Sequence, residues 1–166
     1  GLEDTIIPIP YAVDLVDLDG SEDFWVEVTF GVPPGSRLCG DSTCADEVFP
    51  DVNGVYNLTR EQVDNLHIQP PLHWSSPIQG DIVLNTTTIV FDTISGETTS
   101  LNLTVPIRVI GVADPPNTKN VLINATEDED YLIGDAIGNL SGILVDADTS
   151  ETLYLFLYGL PLGVIP

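Results

Sequence analysis

"FWVEVTF", residues 24–30, decides the fold. Successive side chains of an extended chain point to opposite faces. Phe24, Val26, Val28 and Phe30 therefore share one face, and Trp25, Glu27 and Thr29 the other. One apolar and one mixed face make a half-buried strand. "GDIVLNTTTIVFD" (80–92) and "TSLNLTVPIRVIGV" (99–112) are also rich in β-branched residues, and "DTISGETT" (92–99) puts a glycine turn between them, as in a hairpin. "GVPPGS" (31–36) is a further turn, its prolines fixing φ and lacking N–H donors. Only "NLTREQVDNL" (57–66) reads as helix, with Thr59 as N-cap, Gln62 three residues on, and Val63 and Leu66 facing inward. About seven short strands with frequent turns predict an all-β, antiparallel β-sandwich.

The stretch leading into that strand crowds carboxylates. "LVDLDGSEDFWVEV" (15–28) places Asp17, Asp19, Glu22 and Asp23 within seven positions. The whole chain, 166 residues with 43% hydrophobic, carries 26 Asp and Glu against 4 Lys and Arg, a formal charge of -22. Its apolar share is enough for a packed core, so acidity does not imply disorder. The sign of the charge argues against a nucleic-acid partner, since phosphate binding depends on cationic side chains displacing counterions. It argues equally against an anionic membrane surface. It suits divalent cations, or a saline medium that screens repulsion. No run of about 18 apolar residues is present, so no membrane insertion is expected within this segment. Residue 1 opens no signal peptide, so any secretion signal is expected to have been removed already or to lie outside this window.

Cys39 and Cys44 lie in "LCGDSTC" (38–44). Four intervening residues with Gly, Asp and Ser suit a small disulfide-closed loop; a zinc site would need a second Cys or His pair nearby. The alternative is two reduced thiols in an exposed loop. Five of the nine asparagines open N-x-[ST] sequons: Asn57, Asn85, Asn102, Asn124 and Asn139. Ser and Thr make up about one residue in seven, so chance would supply about one or two. The excess points to a secreted, extracellular product with N-linked glycans. Thr-rich strands that generate sequons incidentally are the alternative.

The acidic block recurs. "LVDLDGSEDFWVEVTFGVPPG" (15–35) returns as "LVDADTSETLYLFLYGLPLGV" (144–164), an offset of 129 residues, and "LEDT" (2–5) parallels "TEDED" (126–130). The chain therefore reads as one full repeat, residues 1–113, a Pro-rich linker, 114–120, and the opening strands of a second repeat, 121–166. A period well above about 50 residues means tandem globular beads, not a solenoid. Opening strands alone leave apolar faces such as "LYLFLYGL" (153–160) and unpaired edges exposed. They are expected to be completed by further chain or by a neighbouring subunit. Both routes imply copies or repeats joined head to tail.

Glu3-Asp4-Thr5, then "VDLDGSE" (16–22), "GVPPGS" (31–36), "YNLTREQVDNLHIQPPLHWS" (56–75) and "TTSLNLTVPIRVIGVADPP" (98–116) occur in an order that resembles the Ig-like, cadherin-like repeats of giant secreted adhesins of the RTX type. The resemblance covers residues 1–116 and restarts at about 126. It implies an Ig-like or cadherin-like sandwich bead, repeated along a surface fibre and stiffened by calcium at bead junctions. The chain departs from the pattern in its Cys-bearing insert at 38–49 and in its density of sequons.

Calcium takes about six to eight oxygen ligands, and D-x-D spacing lets Asp17 and Asp19 point the same way. Glu22 is placed to close the site after Gly20, with Glu3 or Asp4 approaching from the entering segment. Asp114 is assigned to the next bead's site with Glu127, Asp128, Asp146, Asp148 and Glu151. No EF-hand loop is present, and solvated acidic turns are the alternative. Catalysis finds little support: His67 and His73 flank "IQPPL" without a Ser or Cys nucleophile signature, and no phosphate-cradling glycine loop occurs. The expectation is a non-enzymatic extracellular structural repeat of a glycosylated filament or adhesin stalk. The alternative is a cell-adhesion or carbohydrate-binding module, in which Trp25 or Trp74 stacks on sugar.

Overall fold

The computed structural model describes residues 1–16, 19–116, 124, 151–154, 156, 158 and 159. The chain divides into two units, Gly1–Val112 and Ala113–Pro166. The first is all-β apart from two short helices. In chain order it comprises β1 (Ile7–Pro8), β2 (Glu22–Phe30), β3 (Arg37–Cys39), β4 (Glu47–Val48), β5 (Tyr56–Leu58), α1 (Arg60–Asp64), β6 (His67–Gln69), α2 (Ser76–Gln79), β7 (Ile82–Asp92) and β8 (Thr98–Ile107). The strands form two four-stranded sheets, β1-β6-β3-β4 and β5-β2-β7-β8, every neighbouring pair antiparallel.

The period-2 pattern of β2 is realised as read: Phe24, Val26 and Val28 are buried, whereas Trp25 and Glu27 are half-buried and Thr29 exposed. A register shift follows Val28, after which Phe30 pairs with Asn85. Leu38, Val48 and Ile68 of the first sheet and Val26, Leu58, Ile82 and Leu84 of the second join one buried cluster, so the two sheets close on a shared core. Each such side chain, fully buried, contributes roughly 1.5–3 kcal/mol. Thr86 and Thr88 also face this core, and the Tyr11 hydroxyl lies 3.1 and 2.8 Å from their hydroxyls. Those bonds offset the desolvation that buried hydroxyls would otherwise suffer.

A turn and a short helix fix how the chain passes between layers. Gly31 has φ 101°, and a Cβ there would stand 1.8 Å from the Val83 carbonyl oxygen, so only glycine fits. Helix α1 carries the expected capping box, the Thr59 side chain accepting from Gln62 N–H and the Gln62 side chain from Thr59 N–H.

Strand β8 is one of the two edge strands of its sheet among the described residues. The Leu103 carbonyl faces β7 and accepts from the Thr86 hydroxyl, whereas Arg108 O and Ile110 N turn away from β7 and bond to Gly1. Pro106 shares the outward parity and puts a residue without an N–H on that edge. Beyond β8 the chain is parallel to its own beginning: Leu2 bridges Ile110.

In the second unit, Asp114 N–H donates to Glu151 Oε1. Tyr154, Phe156 and Tyr158 are exposed, and the rings of Phe156 and Tyr158 lie 6.4 Å apart. Most of the linker and of the expected second set of strands, residues 117–123 and 125–150 among them, lies outside the described residues.

Candidate functional site

The anticipated metal ligands are distributed to opposite ends of the sandwich. Glu22 pairs with Asp92 at the hairpin end of β7, whereas Ile82, at the other end, pairs with Ile107. Glu3 sits beyond Ile107, its N–H donating to Ile110 O at 3.0 Å. The length of β7 separates the two groups by roughly 30 Å. Glu3 and Asp4 therefore do not join Asp19 and Glu22 in this unit. Asp17, Glu127, Asp128, Asp146 and Asp148 lie outside the described residues.

At the hairpin end the structure adds a carboxylate that the sequence reading did not single out. Asp92 stands directly across from Glu22, and its charge also acts on Asp19. Like charges directly opposite in a sheet are destabilising. Asp19 Oδ1 accepts from Ser21 N–H at 2.8 Å, and Asp92 Oδ1 from the N–H groups of Ile94 and Ser95 at 2.8 and 2.6 Å. Asp19, Glu22 and Asp92 are neighbouring oxygen anions, the chemistry a hard divalent cation prefers, but their oxygens are not gathered within 4.8 Å of one another. The signal for Asp92 was its place at the start of "DTISGETT", opposite the acidic block once the hairpin register is known.

At the other end the carboxylates serve the backbone. Glu3 is 95% buried (5% relative exposure) and its Oε1 accepts from Val112 N–H. Gly1 N donates to Arg108 O at 2.8 Å, and Ile110 N–H to Gly1 O at 2.8 Å. Asp4 Oδ1 accepts from His73 N–H at 3.0 Å, and its other oxygen is 3.8 Å from His73 Nδ1. Both residues have left-handed φ, 55° and 59°, a conformation costing about 1–3 kcal/mol that the surroundings must sustain.

Cys39 and Cys44 are joined by a disulfide, Cα atoms 5.0 Å apart, and both are buried. Asp41 organises the loop they close. Its carboxylate accepts from the Thr43 hydroxyl and N–H at 2.6 Å each, from Asp46 N–H at 2.5 Å and from Ala45 N–H at 3.3 Å. Arg37 ties the loop to the sheet through Glu47 at 2.7 Å and the Cys44 carbonyl at 3.0 Å.

These turn carboxylates are held in their charged form. The Thr43 hydroxyl, with the Asp46 and Thr43 N–H groups, pulls Asp41 far below the usual carboxylate range. The N–H groups of Val55 and Asn53 lower Asp51, those of Ser95 and Ile94 lower Asp92, and the Ser21 hydroxyl and N–H lower Asp19. A folded-state pKa below the unfolded one gives stability that is complete above the unfolded value, about 4, and lost as pH falls through the folded value. Urea midpoints should thus be flat above about pH 5 and decline from about pH 4 downward. Asp41→Ala should lower the midpoint at neutral pH and make the acid decline shallower. An equally steep decline in that variant would deny Asp41 this part.

A groove of about 670 Å³ opens at the Gly31 turn, lined chiefly by Tyr56, Trp74, Pro33, Pro34 and Pro50 with Asp81 at its margin. Trp74 Nε1 is committed to the Gly80 carbonyl at 3.2 Å. Trp25 packs on Phe91, centroids 5.3 Å apart. Among the sequon asparagines, Asn57, Asn102 and Asn124 are exposed and Asn85 is half-buried; Asn139 lies outside the described residues. Among the described residues no helix is long and apolar enough to cross a membrane. No protein-family model, curated protein or solved structure matches the chain.

Proposed function

We propose that this chain is a non-enzymatic, extracellular β-sandwich repeat of the Ig-like and cadherin-like kind, part of a glycosylated filament or adhesin stalk that transmits tension along joined repeats. The observation that supports this best is the parallel contact between Gly1–Glu3 and Arg108–Val112. Tension applied through the two flanking chains slides parallel segments past each other. Gly1 N to Arg108 O, Ile110 N to Gly1 O, Glu3 N to Ile110 O and Val112 N to Glu3 Oε1 are then loaded together, not one after another. A sandwich fastened in this way resists stretching before any core strand peels. Pulling tandem copies by single-molecule force spectroscopy tests it. Each unit should yield in one step with roughly 35 nm of released chain, the extended length of about 112 residues less the folded span. Gradual extension without discrete steps would refute it.

Calcium is proposed for the hairpin end, where Asp19, Glu22 and Asp92 would have to draw together around it, with water and carbonyl oxygens completing the shell. Glu3 and Asp4 lie at the opposite end. At about 10 mM calcium, with dissociation constants of about 0.1–1 mM for extracellular modules, the gain is roughly 1.4–2.7 kcal/mol. The melting temperature should rise accordingly over that in chelator. Glu22→Gln should raise it in chelator, by relieving repulsion with Asp92, and shrink the calcium gain. A calcium gain left intact in Glu22→Gln removes the site from this end.

The carbohydrate-binding reading draws on the Trp74 and Tyr56 groove, whose size falls within the usual range for ligand pockets. It ranks second because Trp25, the other candidate ring, is packed on Phe91, which leaves the Trp74 groove as its single support.

A further inference from the structure

The sequons of the first unit fall on one surface. In β2 and β7 the inward residues are Val26, Val28, Leu84, Thr86 and Thr88, so Glu27, Asn85 and Thr87 face outward. The register then places Asn57, Glu27, Thr87 and Asn102 in a single row across all four strands of the β5-β2-β7-β8 sheet. Asn85 lies two residues along β7 from Thr87, directly opposite Thr104.

The two neighbouring sequons, Asn85-Thr86-Thr87 and Asn102-Leu103-Thr104, are cross-braced. The Thr87 hydroxyl donates to Asn102 Oδ1 at 2.8 Å, and the Thr104 hydroxyl to Asn85 Oδ1 at 3.2 Å. Each sequon's hydroxyl thus holds the other sequon's asparagine. With Oδ1 engaged in both, Nδ2 is the amide atom left to solvent, and neither Nδ2 makes a hydrogen bond among the described residues. Nδ2 is also the atom that carries sugar in an N-glycan, while Oδ1 keeps its acceptor role after modification. The frame is therefore compatible with occupancy at both sites.

We propose that the outer face of the β5-β2-β7-β8 sheet is the glycan-bearing face of this repeat, with Asn57, Asn85 and Asn102 as its three acceptors. The inference rests on the extracellular reading above and adds a direction to it. Asn85 and Asn102 are diagonal neighbours about 7–8 Å apart, and Asn57 is three strand spacings, roughly 14 Å, from Asn102. The β1-β6-β3-β4 sheet has no sequon on its strands, so sugar is confined to one side and the other is left bare for protein contacts. In the transfer, Nδ2 attacks the anomeric carbon of an oligosaccharide carried on a lipid diphosphate. The C–O bond to the diphosphate breaks, the diphosphate leaves with the electron pair, and one Nδ2 proton passes to base.

The test is glycosite mapping of the full chain secreted from eukaryotic cells, using enzymatic sugar release in ¹⁸O-water, which converts each occupied Asn to labelled Asp. Label is expected at positions 57, 85 and 102. Thr87→Ala should abolish label at position 85 and spare 102, whereas Thr87→Ser should keep both. Secreted protein with its Cys39–Cys44 disulfide formed but Asn85 or Asn102 bare overturns the proposed face. Reduced cysteines with no sugar on any sequon in chain taken from its own source overturn the extracellular reading beneath it.

Discussion

Glu3→Ala is expected to speed unfolding of Gly1–Val112 under tension by about 10- to 100-fold when rates are extrapolated to zero force. Glu3 is buried, and its carboxylate accepts from Val112 N–H at the point where the chain leaves the sandwich. A hydrogen bond to a charged group is worth about 1.5–3 kcal/mol, and each 1.36 kcal/mol is a factor of about ten in rate. The full factor appears in the unfolding rate because a terminal contact breaks before the transition state is crossed. Thr5→Ala is the matched control: its hydroxyl bonds the Leu2 carbonyl at 2.7 Å but does not reach the Arg108–Val112 segment. If both variants unfold at the same force, the parallel contact is not what bears load.

The second large effect concerns the core. Leu38→Ala should lower unfolding stability by about 2–5 kcal/mol, the range for deleting a fully buried leucine whose surroundings relax only partly. Leu38 is wholly buried, pairs with both Val48 and Ile68, and precedes Cys39 of the disulfide. The disulfide and the paired strands on both sides restrict collapse around the vacated space, which places the cost in the upper half of that range. Leu101 is the same residue type in another strand but 60% exposed, and Leu101→Ala should stay within about 0.5 kcal/mol. Urea denaturation with an unchanged m-value measures both. Similar losses for the two leucines would mean that the sheets do not share the core described.

The long strands were legible because their patterns outlast chance. β2 alternates through Val28, and β7 and β8 are joined by a glycine turn. The α1 cap was legible because a capping box is local chemistry. β1, β3, β4, β5 and β6 have two or three residues each, too few for a period to show. Thr86 and Thr88 look outward-facing by composition; the Tyr11 hydroxyl, some 75 residues away, and for Thr86 also the Leu103 carbonyl make their burial tolerable. The candidate cation site was half legible for the same reason. Asp19 and Glu22 announce themselves by spacing, but Asp92 joins them through a pairing register that no local window contains. Glu3 was grouped with them by charge, whereas the fold commits it to a backbone amide at the far end.

The outward parity of Pro106 on the β8 edge has a consequence for molecules lying side by side. Two such borders brought together meet a missing donor near one end, and sugar at Asn102 would add bulk along the rest. In the proposed filament, continuous lateral zippering of neighbouring fibres would thereby be interrupted, and a bundle of them would slide and disperse instead of fusing into a mat.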